Sequence, residues 1–306
     1  MSQDRLIIGT RGSALALAQA RAVAALLRSH HPDLQVQIEV IRTQGDVTSG
    51  SLRTFGGQGV FTREIENALL DGRADLAVHS LKDLPTATHA DLRLVAVPER
   101  EDVRDVLVAA GPTTVGALPR GARVGTGSLR RQAQLLALRP DLRIQDIRGN
   151  LDTRMGKVAQ GACAAVILAA AGLRRLGWEE RISAYLEPEV MLPAVGQAAL
   201  GLQMRADSPL AQRVEVLSHA PSLHAVTAER SLLAALGGGC HAPIAAWSRV
   251  EDGRLRLDGL VARPDGSLLV RGQVAGAAEE AVALGARLAA ELRERGAHAI
   301  LSAARG

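Results

Sequence analysis

The spacing of apolar and polar positions divides the chain into three stretches of different character. A short apolar run at 5–9 reads as a strand, and a Thr-Arg-Gly-Ser turn and an alanine-rich helix to about Ser29 follow it. Alternation over 34–40, running on to about 42, predicts a second strand. Helical spacing returns over 61–70 and stops at Gly72. The run 74–79 is apolar enough to be a buried strand, and it delivers Ser80-Leu81-Lys82-Asp83-Leu84-Pro85 before another strand at 92–97. Strands alternating with helices in this way predict a largely parallel sheet covered by helices.

A densely charged stretch, 99–105, marks the crossing into a second unit with the same opening. There a strand at 123–125 leads through Thr126-Gly127-Ser128 into a helix that ends near Leu138. Gly9-Thr10-Arg11-Gly12-Ser13 and Gly125-Thr126-Gly127-Ser128 share the order strand, Gly-Thr, turn, Ser, helix, which predicts two similar α/β domains facing a cleft. Further strands are expected at 142–147 and 164–168, with helices from Asn150 and near Leu173. The third stretch differs. After a helix from Leu223, strands at 246–250, 254–261 and 268–274 are joined by Asp252-Gly253 and Pro264-Asp265-Gly266-Ser267, both strong hairpin turns. A helix over about 277–295 completes a smaller α+β domain with a three-stranded antiparallel sheet.

Composition narrows the function classes. With 306 residues, two or three domains are expected, and 47% hydrophobic against 2% aromatic residues means cores built from Ala, Leu and Val. Two cysteines in unlike contexts give no disulfide framework, which points to a reducing cytoplasm. The longest apolar run, 162–171, is too short to span a bilayer, and the first residues carry no signal-peptide pattern. The net charge is +4, with Lys82 and Lys157 the only lysines among 36 basic residues. The five aromatic residues leave few platforms for bases, and the arginines are scattered among acids, so nucleic acid is not favoured as a partner.

Candidate chemistry gathers at strand ends and in one loop. Helix-start N–H groups with a serine hydroxyl favour an anion, and arginines flank each such turn: Arg11 beside Ser13, and Arg130 and Arg131 after Thr126 and Ser128. Arg148, Asn150 and Arg154 follow a third strand end. Any one turn alone reads as a serine cap with solvated arginines. Recurrence at three strand ends, where open α/β sheets bind ligands, points to a ligand with several negative groups. Neither turn has nucleotide-binding spacing. Asp83 follows the buried strand and is suited to stabilising a cation or to capping the turn before Pro85. Lys82 could serve as a Schiff-base lysine, while His79 reads as a satisfied strand-end histidine, and no metal site is expected. Cys240 lies in Leu236-Gly237-Gly238-Gly239-Cys240-His241-Ala242-Pro243, where glycines let a thiol approach a bulky group. The competing reading there is a glycine helix stop followed by a small buried cysteine.

Together these motifs resemble the porphobilinogen deaminase (hydroxymethylbilane synthase) family over nearly the whole chain. The resemblance rests on Gly9 to Ser13, Ala74 to Pro85, Gly125-Thr126-Gly127-Ser128-Leu129-Arg130-Arg131-Gln132, Ile147-Arg148-Gly149-Asn150 with Arg154, Leu192-Pro193-Ala194-Val195-Gly196-Gln197, and Gly238-Gly239-Cys240, in that order. It implies two periplasmic-binding-protein-like lobes, 1–99 with about 199–218 and 100–198, and a third domain, 219–306. It implies a dipyrromethane cofactor joined by a thioether to Cys240, with Asp83 as the catalytic carboxylate. Four porphobilinogen molecules would lose ammonia and condense head to tail, and hydrolysis would release hydroxymethylbilane. Asp83 would balance the cation left by loss of ammonia. Arg11, Ser13, Ser80, Lys82, Thr126, Ser128, Arg130, Arg131, Arg148, Asn150, Arg154 and Gln197 would hold the acetate and propionate groups of cofactor and substrate. Lys82 then becomes a carboxylate partner. The chain departs from the family pattern at Gln58, a common lysine position, at Gly127, a usual serine, and at Ala198, a usual glycine. A cytoplasmic, monomeric enzyme is expected. The alternatives are a non-catalytic two-lobed polycarboxylate-binding protein and a lysine-dependent lyase.

Overall fold

The computed structural model describes residues 5–42, 62–87, 89–239 and 242–303. They fall into two compact units, Met1–Arg100 with Ala199–Leu223, and Glu101–Ala198 with His224–Gly306. The first unit holds strands β1 (Arg5–Thr10), β2 (Gln35–Val40), β3 (Leu76–Ser80), β4 (Leu92–Ala96) and β10 (Leu200–Arg205) in the order β2-β1-β3-β10-β4. β1, β2 and β3 run parallel, while β10 is antiparallel to β3 and β4. Leu6 and Ile8 are fully buried on β1 and meet Ala20, Val23, Ala24 and Leu27, the apolar stripe of helix α1 (Ala14–His30). Helices α2 (Arg63–Leu70) and α6 (Ala211–Glu215) complete this unit's helices, together with the first turn of a helix described below.

The second unit repeats the layout. Strands β5 (Asp105–Ala109), β6 (Arg123–Gly125), β7 (Arg143–Gln145), β8 (Ala165–Ala169) and β9 (Ala184–Leu186) take the order β7-β6-β8-β5-β9. β6, β7 and β8 are parallel, and β5 is antiparallel to both neighbours, as β10 is in the first sheet. Helices α3 (Leu129–Leu138), α4 (Leu151–Ala159) and α5 (Ala170–Arg175) follow β6, β7 and β8 in turn. The fold is therefore α/β with two mixed, largely parallel sheets of matching topology. β5, β9 and β10 are absent from the sequence expectation. β9 is only three residues long, and β5 and β10 are buried along nearly their whole length, so neither of these two shows the alternation that marks a half-exposed strand.

The same unit contains the antiparallel sheet β11 (Ile244–Glu251), β12 (Arg254–Ala262) and β13 (Leu269–Ala277). Its core is closed by α7 (Ala220–Ala235) and α8 (Ala281–Leu292), through Ala228, Leu232, Leu284, Leu288 and Leu292. The single helix expected over 277–295 is interrupted: an irregular turn at Arg293–Ala297, with Gly296 at φ 99°, precedes α9 (His298–Ala303). No helix among the described residues is long and apolar enough to cross a membrane.

Two backbone features bear on the site. Helix α7 ends in a glycine stop: the Gly237 N–H donates to Ala234 O at 2.9 Å and the Gly238 N–H to Leu233 O at 3.1 Å, with Gly237 at φ 65°. A Cβ on Gly238 would run into Leu233 and Ile244. Ala198 sits at φ 72°, a left-handed conformation that costs an alanine about 1–2 kcal/mol. Its carbonyl accepts a 2.5 Å hydrogen bond from the half-buried Arg175. Replacing Ala198 with glycine should therefore raise stability by up to about 1 kcal/mol, the gain being reduced by the greater freedom of unfolded glycine. Urea unfolding with an unchanged slope and a higher midpoint would show it; a lower midpoint would mean the strain is not there.

Candidate functional site

In the first unit, β1 and β3 are neighbours, pairing Ile8 with Leu76 and Gly9 with Ala77, so their C-terminal ends open on one sheet edge. Arg11 and Ser13 follow β1, and Ser13 caps α1 by accepting the Ala16 N–H at 3.3 Å. Ser80 ends β3 and is locked to α1 through Gln19, whose amide donates to Ser80 Oγ at 2.9 Å. One turn of 3₁₀ helix, Leu81–Asp83, comes next, pinned by the buried Leu81 side chain and by the Leu81 N–H on Ala199 O at 3.0 Å. Burying Leu81 leaves Lys82 half-buried and the Asp83 carboxylate exposed. Behind the edge, His79 is buried with Nε2 2.9 Å from Gln203 Oε1, and Gln203 donates to Glu66 at 3.0 Å. Burial holds the His79 imidazole neutral, its pKa lowered to about 4 against the weaker opposing effect of Gln203.

In the second unit, two of the three strand-end groups follow β6 and β7, and Thr126 is buried. The Thr126 hydroxyl accepts the Ser128 N–H at 3.2 Å, and Ser128 caps α3 through the Arg131 N–H at 3.4 Å. Gly127 has no room for a side chain: a Cβ would lie 2.9 Å from Ile147 O and 3.0 Å from an Asp146 carboxylate oxygen. The departure at Gly127 therefore accompanies a close approach of two strand ends. Asn150 precedes α4 as its cap residue. Arg148 pairs loosely with Asp146 at 3.3 Å, and Arg154 donates to Gly149 O at 2.8 Å. Both arginines are half-buried and reach the surface.

Arg130 and Arg131 differ from the open anion clamps expected. Their side chains are 4% and 7% exposed and turn inward onto Asp105, which is fully buried at the start of β5. Arg130 donates to Asp105 at 2.6 Å and to Leu192 O at 2.8 Å; Arg131 donates twice to Asp105, at 2.8 and 3.2 Å, and to Ile167 O at 2.9 Å. Gln197 adds a bond to Asp105 at 2.9 Å and one to Val103 O at 2.8 Å. The second and third positions of α3 lie over the sheet, which directs these side chains into the unit. Burial alone would raise the Asp105 pKa, but the two guanidinium charges and their hydrogen bonds outweigh it and hold the carboxyl well below the usual range. Two cations share one anion here, and the buried Arg130 Nε has no hydrogen-bond partner among the described residues. Asp105 escaped the sequence reading. Its signal is an acid opening an apolar strand, a position that needs a buried cation.

The glycine stop before Cys240 is real, while Cys240 itself lies outside the described residues, as does Gln58. Cys163 is buried, its thiol pKa raised by burial and its Sγ 3.5 Å from Gln145 Oε1. A hollow of about 350 Å³ lined by Glu39, Val40, Ile41, Arg42, Glu64, Asn67 and Arg73 includes none of the candidate residues. Each unit presents cationic donors beside cap hydroxyls at its strand ends, Arg11 and Lys82 in the first and Arg148 and Arg154 in the second, and donors of this kind suit carboxylates.

The family model described as "Porphobilinogen deaminase, dipyromethane cofactor binding domain" matches residues 6–213. The model of the porphobilinogen deaminase C-terminal domain matches 223–294. A porphobilinogen deaminase of Roseiflexus sp. (strain RS-1) is 48% identical over 98% of this chain and 99% of that protein. One of Thermus thermophilus is 45% identical over 97% of this chain and 98% of its own. The chain belongs to the porphobilinogen deaminase family. Among solved structures, the VFT2 domain of Bordetella pertussis BvgS aligns at TM-score 0.42 and 17% identity, covering 70% of this chain and 86% of that one. The Escherichia coli sulphonate-binding protein SsuA aligns at 0.39 and 16%, covering 76% and 70%.

The His79 environment gives a pH signature. Its native pKa lies below the ordinary value of 6.5, so the unfolded chain takes up a proton that the folded chain refuses between about pH 6.5 and 4. This stabilisation is complete above that window and is lost on acidification, by on the order of 3 kcal/mol. Urea midpoints measured from pH 7 to 4.5 should fall more steeply in the parent than in a His79→Gln variant. Parallel curves would refute the assignment.

Proposed function

We propose that this chain carries out the reaction of its family, joining four porphobilinogen molecules head to tail with loss of four ammonia molecules and releasing hydroxymethylbilane by hydrolysis with one water. The observation that carries this is the match of two family models to 6–213 and 223–294; strand-end donors suited to carboxylates in each unit support it. Cys240 would hold the dipyrromethane group through a thioether, and that group would supply a nucleophilic pyrrole end. Gly237 and Gly238 end α7 tightly and start the loop that presents the thiol.

The chain's own residues do the rest. Asp83, exposed at the end of the 3₁₀ turn, stabilises the positive charge that develops as porphobilinogen loses ammonia, and accepts pyrrole N–H groups. A carboxylate preorganised beside a developing cation acts without solvent reorganisation. Arg11, Lys82, Arg148 and Arg154 take substrate and product carboxylates as charge-assisted hydrogen bonds, with Ser13, Ser80, Thr126, Ser128 and Asn150 as neutral donors beside them. Arg130, Arg131 and Gln197 contribute through the Asp105 cluster, whose surplus positive charge raises the affinity of the adjoining surface for anions. In this reading Lys82 is a carboxylate partner, and family membership speaks against the lyase alternative. The three sheets support domains at 1–99 with about 199–218, 100–198 and 219–306, the second and third sharing one compact unit. The enzyme works as a cytoplasmic monomer.

Intact-mass measurement should find a dipyrrole adduct on purified protein and none on Cys240→Ser, together with porphobilinogen consumption and ammonia release by the parent. Protein free of adduct yet able to bind polycarboxylates would favour the non-catalytic reading. Asp83→Asn should lower turnover by at least about 100-fold. Parental rates in that variant would remove Asp83 from the mechanism.

A further inference from the structure

Glu229 is a fully buried carboxylate on α7 that none of the chemistry above uses. One of its oxygens accepts the Gly196 N–H at 2.7 Å, and the other accepts the Ser248 N–H of β11 at 2.8 Å. The Ser248 hydroxyl also approaches it at 3.2 Å, though that proton is drawn to Ala225 O at 2.5 Å. Gly196 belongs to the segment 192–197, which crosses between the second sheet and the antiparallel sheet. At one end of the segment Gln134 brackets Leu192, taking its N–H at 2.8 Å and donating to its carbonyl at 3.0 Å, and Arg130 donates to the same carbonyl. In the middle the Ala246 N–H donates to Pro193 O at 3.0 Å, and Val195 enters the core formed by Ala228 and Leu232. At the other end Gln197 grips Asp105.

The connections form one continuous path: Glu229, Gly196, Gln197, Asp105, then Arg130 and Arg131. Glu229 also stands on the helix whose glycine stop leads directly to Cys240. We propose that Glu229 is a positioning residue that couples the cofactor-bearing loop to the buried arginine pair through the 192–197 segment. A carboxylate is suited to this because both N–H groups it receives are donors. An amide must turn an NH₂ towards one of them, so Glu229→Gln keeps the volume and breaks one end of the brace.

This role rests on the functional reading above, and the experiment separates the two. Hydrogen exchange by mass spectrometry, cofactor occupancy by intact mass, and KM and kcat for porphobilinogen are measured on parent, Glu229→Gln and Cys240→Ser. The expected result is that Glu229→Gln exchanges faster at 192–197 and 236–243 together, loads less cofactor, and shows KM raised about tenfold with a smaller change in kcat. A lower melting temperature with parental occupancy, KM and exchange at 236–243 would make Glu229 a structural brace and overturn the proposal. Coupling is reciprocal, so the unloaded Cys240→Ser protein should also exchange faster at 192–197 than loaded parent. That comparison carries the test if Glu229→Gln does not fold, and equal exchange there would overturn the proposal as well. A parent without adduct defeats the functional reading; a loaded parent with no such coupling defeats only the role of Glu229.

Discussion

Two guanidinium groups facing a single carboxylate in the interior of the second sheet constrain much of what surrounds them. Taking three charges out of water costs several kcal/mol each, and the cost is offset only if nearly every donor and acceptor is used. Asp105 receives Arg130, Arg131 and Gln197, while the arginines also reach the carbonyls of Leu192 and Ile167. Every one of those partners must stay where it is. The first turn of α3, the middle of β8, the start of β5 and the 192–197 segment are thereby fixed to one point. Loss of a single member strands a buried charge, which costs more than the pair itself contributes.

This constraint explains why the chain divides its cations into two sets. Arg130 and Arg131 are dehydrated and structural in their contacts, while Arg11, Lys82, Arg148 and Arg154 reach the surface at the strand ends. The buried set is closed off from solvent, whereas each member of the outer set is partly exposed. Arginine suits both tasks because its planar fork makes several bonds at once and stays charged when buried. A buried lysine would offer fewer directed donors and would lose its proton more readily.

The sequence made the two sheets, the antiparallel third sheet and the helix caps legible because each carries a local signature. Ser13 and Ser128 cap helices, Asp252-Gly253 turns a hairpin, and α1 shows an apolar stripe. β5 and β10 were hidden because strands buried on both faces lose their alternation, and β10 joins a sheet whose other strands lie more than a hundred residues earlier. The chemistry was legible in the same uneven way. Asp83 and the surface arginines follow strand ends that can be found by pattern. The inward turn of Arg130 and Arg131 could not be read, because it depends on Asp105, an acid on a strand that pattern did not reveal.

The departures at Gly127 and Ala198 show how far local exchange is absorbed by a fold of this kind. At Gly127 the missing side chain coincides with Ile147 O and Asp146 pressing on the turn, so the space a serine needs has been taken up by the neighbouring strand end. At Ala198 a side chain has been added where the backbone is left-handed, and the conformation persists because the surroundings over-determine it. Arg175 grips the Ala198 carbonyl, and Gln197, one residue earlier, is held by Val103 and Asp105. The strain at Ala198 is thus sustained by the same buried charge cluster that anchors the second sheet.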